Sequence, residues 1–377
     1  MKITADRKTL HAALDLARRV VERRNTIPIM SNLRLTAAGD RLQVTATDLD
    51  LEVKTALAAR VDQEADITLP AHTLRDIVAA LPDGDVSIVA DDGRATVSAG
   101  RSRYRLFTLP VTDYPSLAAE DLRHEFVLSA AALHRLMDVP RFAISTEETR
   151  YYLNGIYLHV VDGDDGPALR AVSTDGHRLM RVECLAPAGS AGMPGIIVPR
   201  KTVAEIAALA ARAGPEDKIA VAVSENKIRI TAGETTLISK LIDGSFPDYG
   251  RVIPARDAEG TLITIDRAEV LAAAGRVTTL SGDRARCIAF RFAAKGSAID
   301  VNNPDAGEAR EDIAAELDGP DITIGFNGKY VADVLGTLTA TRITLRLRTA
   351  GDPARIESAD AATDADLVSV LMPMRVQ

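Results

Sequence analysis

The chain has 377 residues, 46% of them hydrophobic and 26% charged, with a formal net charge of −8. At roughly 150 residues per domain there is room for two or three domains with cores of their own, and the ordinary composition excludes a disordered or fibrous chain. The acidic balance excludes a generally basic nucleic-acid binder while permitting local positive charge, and the absence of an apolar run near the ~18 residues of a membrane span, with no secretory core in "MKITADRKTL", reads as cytoplasmic.

In chain order, "ITADRKTLHAAL" (3–14) reads as a short alternating strand, an N-cap at Asp6 and a helix with the stripe Leu10, Ala13, Leu14 and Ala17. The spacing predicts helix as far as residue 24. Over 6–24 six cations (Arg7, Lys8, Arg18, Arg19, Arg23, Arg24) face three acids (Asp6, Asp15, Glu22), a local charge of +3. Alternating segments such as "RLQVTATDLDLEV" read as antiparallel strands. A second strand-to-helix unit, "ITLPAHTLRDIVAAL" (67–81), carries the stripe Leu74, Ile77, Val78 and Leu81, and "LPVTDYP" (109–115) closes the first third.

The layout then repeats. "FVLSAAALHRLM" (126–137) has a cap at Ser129 and the stripe Leu133, Leu136 and Met137 before Pro140. "IIVPRKTVAEIAALA" (196–210) has Val203, Ile206, Ala207 and Ala210, and "LIDGSFP" (241–247) answers "LPVTDYP". The third copy opens with "ITIDRAEVLAAA" (263–274), capped by Asp266 with the stripe Val270, Ala273, Ala274 and Val277. It continues with "ITIGFNGKYVADVLG" (322–336), striped by Val331, Val334, Leu335 and Leu338. Leu74 lies 129 positions before Val203, and Val203 lies 128 before Val331. The expected fold is α+β, three repeated domains of one topology at 1–122, 123–254 and 255–377, each with two helices packed on antiparallel sheets. Neighbouring copies are expected to pair edge to edge, because an open sheet edge is a liability.

The stretch "VSTDGHRLMR" (172–181) brings Asp175 and His177 together as a candidate hydrolytic pair, set against the favoured reading of a turn Asp beside a half-buried, hydrogen-bonded His. No GxSxG, HExxH, GxxxxGK[ST] or GxGxxG occurs, and six scattered histidines show no metal-ligand spacing. No catalytic residue, metal or cofactor is therefore expected. Cys184 and Cys287 belong to no CxxC or Cys/His cluster and read as two buried thiols. Local basic and aromatic groups are Arg150 beside Tyr151 and Tyr152 in "TRYYLNG", and Arg200 with Lys201 at a helix start.

Eight motifs, "TDLDLEV", "GRSRYRLFTLP", "RYYLNG", "STDGHRL", "IIVPRK", "SKLIDGSFPDY", "GFNGKYV" and "LMPMR", stand in an order and spacing that resemble the bacterial sliding clamp family, the beta subunit of DNA polymerase III, across essentially the whole chain. The resemblance implies the DNA clamp fold, a head-to-tail homodimeric ring around double-stranded DNA, and no enzymatic activity. It implies a groove between the second and third domains for short linear peptides of the polymerase III alpha subunit, the clamp loader delta subunit, other DNA polymerases and repair proteins. The matching positions are Leu153, Thr174, Gly176, His177, Arg178 and Leu179 in the middle third, and Pro247, Arg251 and Val252 at its end. In the last third they are Asn327, Tyr330, Val370, Leu371, Met372, Pro373, Met374 and Arg375. Ala285 stands where better-known members carry an aromatic groove residue.

The resemblance assigns DNA contact to Arg24, Arg150, Tyr151, Tyr152 and Lys201, with Glu147 and Glu148 beside them. At the ring seam it buries Tyr104 and Leu106 against Thr279 and Leu280, with Arg94, Arg101 and Arg103 meeting Glu308 and Glu311. Two other readings stand beside the clamp: a static sequence-independent DNA-binding protein, and a hydrolase using Asp175 and His177.

Overall fold

A computed structural model describes residues 1–117, 122–163, 166–282, 287–360 and 363–376. The chain divides into two compact units. The first comprises Met1–Leu133, Pro187–Pro194 and Glu205–Leu241, and the second His134–Ala186, Gly195–Ala204 and Ile242–Gln377. The middle third of the sequence contributes to both.

The helices form where the stripes and caps place them. They are α1 (Arg7–Ala17), α2 (Ala71–Ala80), α3 (Ala130–Asp138), α4 (Arg200–Ala210), α5 (Arg267–Thr278) and α6 (Gly328–Thr337). Asp6 accepts from Thr9 N at 2.9 Å, Ser129 from Ala132 N at 3.2 Å and Asp266 from Glu269 N at 2.8 Å, each meeting a free donor of a first helical turn. The apolar stripes of α1 and α5 are buried throughout. The helix expected to reach residue 24 stops at Ala17. Beyond Arg18, bonds from Arg19 N to Leu16 O and from Val20 N to Ala17 O tighten the chain into a turn that buries both Val20 and Val21.

In the first unit a five-stranded sheet runs Arg60–Gln63, Lys2–Asp6, Asp85–Asp91, Arg94–Ala99, Ser102–Phe107, so Ser102–Phe107 is an edge. An eight-stranded sheet joins two copies of the repeat, because Thr235–Lys240 of the middle third pairs with Leu51–Ala58 of the first. Thr55 and Thr235 share a buried hydroxyl bond of 2.9 Å on that junction.

The second unit repeats the device. Its nine-stranded sheet joins the middle and last thirds by pairing Arg178–Leu185 with Leu367–Leu371, in register Arg178↔Leu371 to Val182↔Leu367. A four-stranded sheet has Gly307–Ile313 at one edge and Ile322–Asn327 at the other. The expected edge-to-edge pairing of neighbouring copies is thus present in both units. Among the described residues no helix is long and apolar enough to cross a membrane.

A clasp sits at the entry to the last strand. Arg135 on α3 binds Asp366 at 2.6 and 2.7 Å and Asp364 at 3.0 Å, and Asp364 also accepts from Thr339 N at 2.5 Å and Ala340 N at 3.0 Å. Burial alone raises the pKa of the Asp364 carboxyl, but these donors hold it below its ordinary value. Removing the guanidinium leaves that buried carboxylate without its cation. Arg135→Met is therefore expected to lower stability by about 2 kcal/mol, discounted for the partial exposure of the arginine. Urea unfolding reads this, and an unchanged midpoint contradicts the role given to the clasp.

Candidate functional site

Strands Gly166–Thr174 and Arg178–Leu185 are joined by the turn Asp175, Gly176, His177. Asp175 Oδ1 accepts from His177 N at 2.9 Å and Arg178 N at 3.1 Å, closing the turn, while Gly176 adopts φ +88°, a left-handed conformation open to glycine. Asp175 Oδ2 accepts from Arg178 Nε at 3.0 Å. The carboxylate thus meets His177 through the backbone, while the imidazole lies beside Tyr330 with ring centroids 6.2 Å apart. A base–orienter pair needs the carboxylate on the ring N–H. The hydrolase reading of Asp175 and His177 is not what this turn builds.

Arg178 is the hub. It donates to Asp175, to Asp333 on α6 and to the Phe142 carbonyl at 2.7 Å, and its guanidinium lies 4.3 Å from the Tyr330 ring centroid and 5.1 Å from that of Phe142. Only 11% of the side chain is exposed, so its partners act in a setting where charge-assisted bonds and cation–π contact are strong. Sequence reading missed Asp333 and Phe142, which lie 155 and 36 positions away.

The chain end passes along the same turn. Met372 N donates to His177 O at 2.8 Å, and Met374 N donates to Gly325 O at 2.8 Å. A Cβ at Gly325 would lie 2.6 Å from the Met374 carbonyl, so glycine lets the tail approach the sheet edge. Cys287 Sγ reaches the Arg375 carbonyl at 3.7 Å. Both cysteines are half-buried rather than fully buried, and desolvation pushes both thiols up, Cys184 to about 11. Asn327 caps α6, accepting from Lys329 N and Tyr330 N.

The remaining wall is the segment 246–253. Phe246, Tyr249 and Ile253 pack on Val172, Leu179 and Val370, and Asp248 caps the short turn Tyr249–Val252 and holds Arg251 at 2.9 Å. Of the expected groove residues, Gly176, His177, Pro247, Arg251, Val252, Met372 and Arg375 are exposed. Thr174, Arg178, Asn327, Tyr330, Pro373 and Met374 are half-buried, and Leu153, Leu179, Val370 and Leu371 are buried. Ala285 lies outside the described residues. The result is a floor of buried strand residues, Val172, Leu179 and Val370, covered by Phe246, Tyr249 and Ile253, with the 175–177 turn, α6 and the tail beside it.

The other expected residues are spread more widely. Tyr151 is 53% exposed and meets Tyr152 edge-on at 5.8 Å. Arg150 is paired with Glu147 at 2.6 Å, which lowers the acid's pKa through the guanidinium bond. Lys201 lies in the first turn of α4, and Arg24 is exposed beyond the end of α1. Arg94, Arg101, Arg103 and Tyr104 are exposed and Leu106 half-buried on or beside the sheet edge Ser102–Phe107. Phe107, which sequence reading passed over, is 73% exposed there beneath the Arg94 guanidinium. Thr279 and Leu280 follow α5, Glu308 is exposed on the strand Gly307–Ile313, and Glu311 is bound by Arg276 at 2.5 Å within the same chain.

Family models match the chain in three consecutive pieces: the N-terminal domain of the DNA polymerase III beta subunit over 1–118, its central domain over 127–248 and its C-terminal domain over 250–375. The beta sliding clamp of Caulobacter vibrioides is 44% identical over 379 residues, with all of both chains covered. A crystal structure of the DNA polymerase sliding clamp from Caulobacter crescentus superposes with a TM-score of 0.92 at 44% identity, and one from Bartonella birtlesii bound to griselimycin with 0.95 at 41%, each covering 100% of both chains.

His159 ties segment 246–253 to the sheet, its Nε2 3.0 Å from the Tyr249 hydroxyl. Burial, helped by the Arg170 charge, pushes this imidazole down to about 4. A histidine held neutral by the fold contributes its stability in full above pH 6.5 and loses it as pH falls toward 4. Wild type should lose roughly 2 kcal/mol more than His159→Gln between pH 6.5 and 4.5 in denaturant melts. Parallel pH slopes for the two proteins would contradict this.

Proposed function

The chain belongs to the DNA polymerase III beta-subunit family, the sliding clamps of DNA replication, which have no catalytic activity of their own, and on that premise we propose that it closes around duplex DNA as a head-to-tail homodimer. In the cytoplasm the ring tethers the polymerase III alpha subunit, the clamp loader delta subunit, and other polymerases and repair proteins. The observation that carries this reading is the run of three beta-subunit domains along one chain, with neighbouring thirds joined edge to edge while Ser102–Phe107 and Gly307–Ile313 are left as sheet edges. We take the domains as 1–122, 123–254 and 255–377.

A ring held by topology needs only weak phosphate contact, because many tight contacts would slow sliding. A net charge of −8 with exposed Arg24, Tyr151 and neighbouring cations suits that requirement. Partner peptides bind at the surface over Leu179 and Val370, where exposed Val252 and Met372 offer apolar burial and Met adapts to different side chains. Tethering raises the local concentration of a polymerase at DNA without any chemistry by the clamp.

At the seam, Tyr104, Leu106 and Phe107 of one protomer meet Thr279 and Leu280 of the other. Apolar burial supplies most of the stability, since rim ion pairs such as those of Arg103 and Glu308 contribute ~0–1 kcal/mol each. Glu311 must exchange or share Arg276 to join them.

Loaded onto nicked circular DNA, the protein should survive a salt wash and leave when the circle is cut. Equal loss from circular and linear DNA at the same salt identifies a static binder instead. On dilution, native mass should record monomer at nanomolar concentrations, because Thr279 is more polar than an aliphatic seam residue; an intact dimer there contradicts the seam as described.

A further inference from the structure

Segment 246–253 carries Pro247, Arg251 and Val252, yet few of its own bonds fix it to the sheet beneath. Its turn is capped internally by Asp248, and Arg251 binds that same Asp248. What fixes it is one hydroxyl. Arg170 Nη1 lies 3.1 Å from Tyr249 Oη, and since guanidinium only donates, the phenol oxygen accepts there. The phenol's own proton then needs an acceptor, and His159 Nε2 stands 3.0 Å away.

Every member of this clasp is itself held. Arg170 and His159 are cross-strand partners, and Arg170 binds Glu183 at 2.7 Å. His159 stacks on Tyr157 at 4.2 Å, Tyr157 stacks on Phe246 at 5.0 Å, and Phe246 lies edge-on to Tyr249 at 6.5 Å, so four rings close a loop between sheet and segment. The groups facing His159 are Tyr157 on its own strand, Arg170 on the next and Tyr249 on the segment. Apolar contact of Phe246, Tyr249 and Ile253 with Val172, Leu179 and Val370 brings the segment onto the floor but does not fix its rotation or height, because such contact is non-directional. The paired hydrogen bonds are directional.

We propose that Tyr249, His159 and Arg170 are positioning residues for partner-peptide recognition: their hydroxyl-centred clasp sets segment 246–253, and through it Pro247, Arg251 and Val252, at the height a peptide needs. The inference rests on the groove being the peptide site. It requires a neutral acceptor at 159 and a hydroxyl at 249, not bulk alone.

The test is fluorescence anisotropy of the full-length protein with a fluorescein-labelled Gln-Leu-Ser-Leu-Phe peptide, for wild type, Tyr249→Phe, His159→Leu and His159→Gln, alongside melting temperature. Tyr249→Phe and His159→Leu should bind roughly tenfold more weakly, as expected when a buried hydrogen bond to a charged or polar partner is lost. His159→Gln, which restores an acceptor, should return to within about twofold of wild type, a rescue that loss of packing alone does not give. If wild type itself does not bind, the groove reading falls and this inference with it. If wild type binds and Tyr249→Phe matches it, or Leu and Gln at 159 bind alike, the clasp does not position the site while the groove reading stands. Should Tyr249→Phe fail to fold, the Leu and Gln pair at 159 decides alone.

Discussion

The strand Leu367–Leu371 is the constraint on which the candidate site depends. It runs between Arg178–Leu185 of the middle third and Ala354–Ser358 of the last, and all five of its residues are buried. An antiparallel register fixes both neighbours at once, because a slip of one position would turn Val368 and Val370 to the opposite face. With the register set, Arg178 stands opposite Leu371, the 175–177 turn reaches the emerging tail, and Met372 N finds the His177 carbonyl. The site is therefore a by-product of joining two copies of one fold. Each copy alone supplies only part of it.

Charge follows the same economy of local pairing. Arg19 meets Glu205, Arg150 meets Glu147, Arg276 meets Glu311, and Arg135 meets a pair of aspartates, so much of the basic character visible in the sequence is already spoken for in the fold. The +3 read over residues 6–24 is offset from outside the segment, since Arg7 pairs with Asp83 and Arg19 with Glu205. Arg23 and Arg24 remain exposed and carry no pairing among the described residues.

How much was legible follows from distance along the chain. Helix caps at Asp6, Ser129 and Asp266 and the 3.6-residue stripes are local signals, and the structure places helices on them. The triplication was legible because it repeats. The end of α1 was not, since burial of Val20 and Val21 is a tertiary demand that overrides a charged helical pattern. Tyr249 sits inside the quoted motif "SKLIDGSFPDY" yet carried no signal, because its partners His159 and Arg170 lie 90 and 79 positions away and meet it only through strand register. The Asp175 and His177 pair shows the converse: neighbours in sequence, they are kept apart by a turn that uses the carboxylate for itself, as the turn reading of Asp175 expected.

The central claim, that the surface over Leu179 and Val370 is where partners are held, is tested most directly by amide hydrogen exchange of the full-length protein with and without a saturating Gln-Leu-Ser-Leu-Phe peptide. Exchange should slow at 174–179, 246–253 and 372–376 and change little elsewhere. Protection confined to other segments, or none at these three while the peptide is bound, contradicts it.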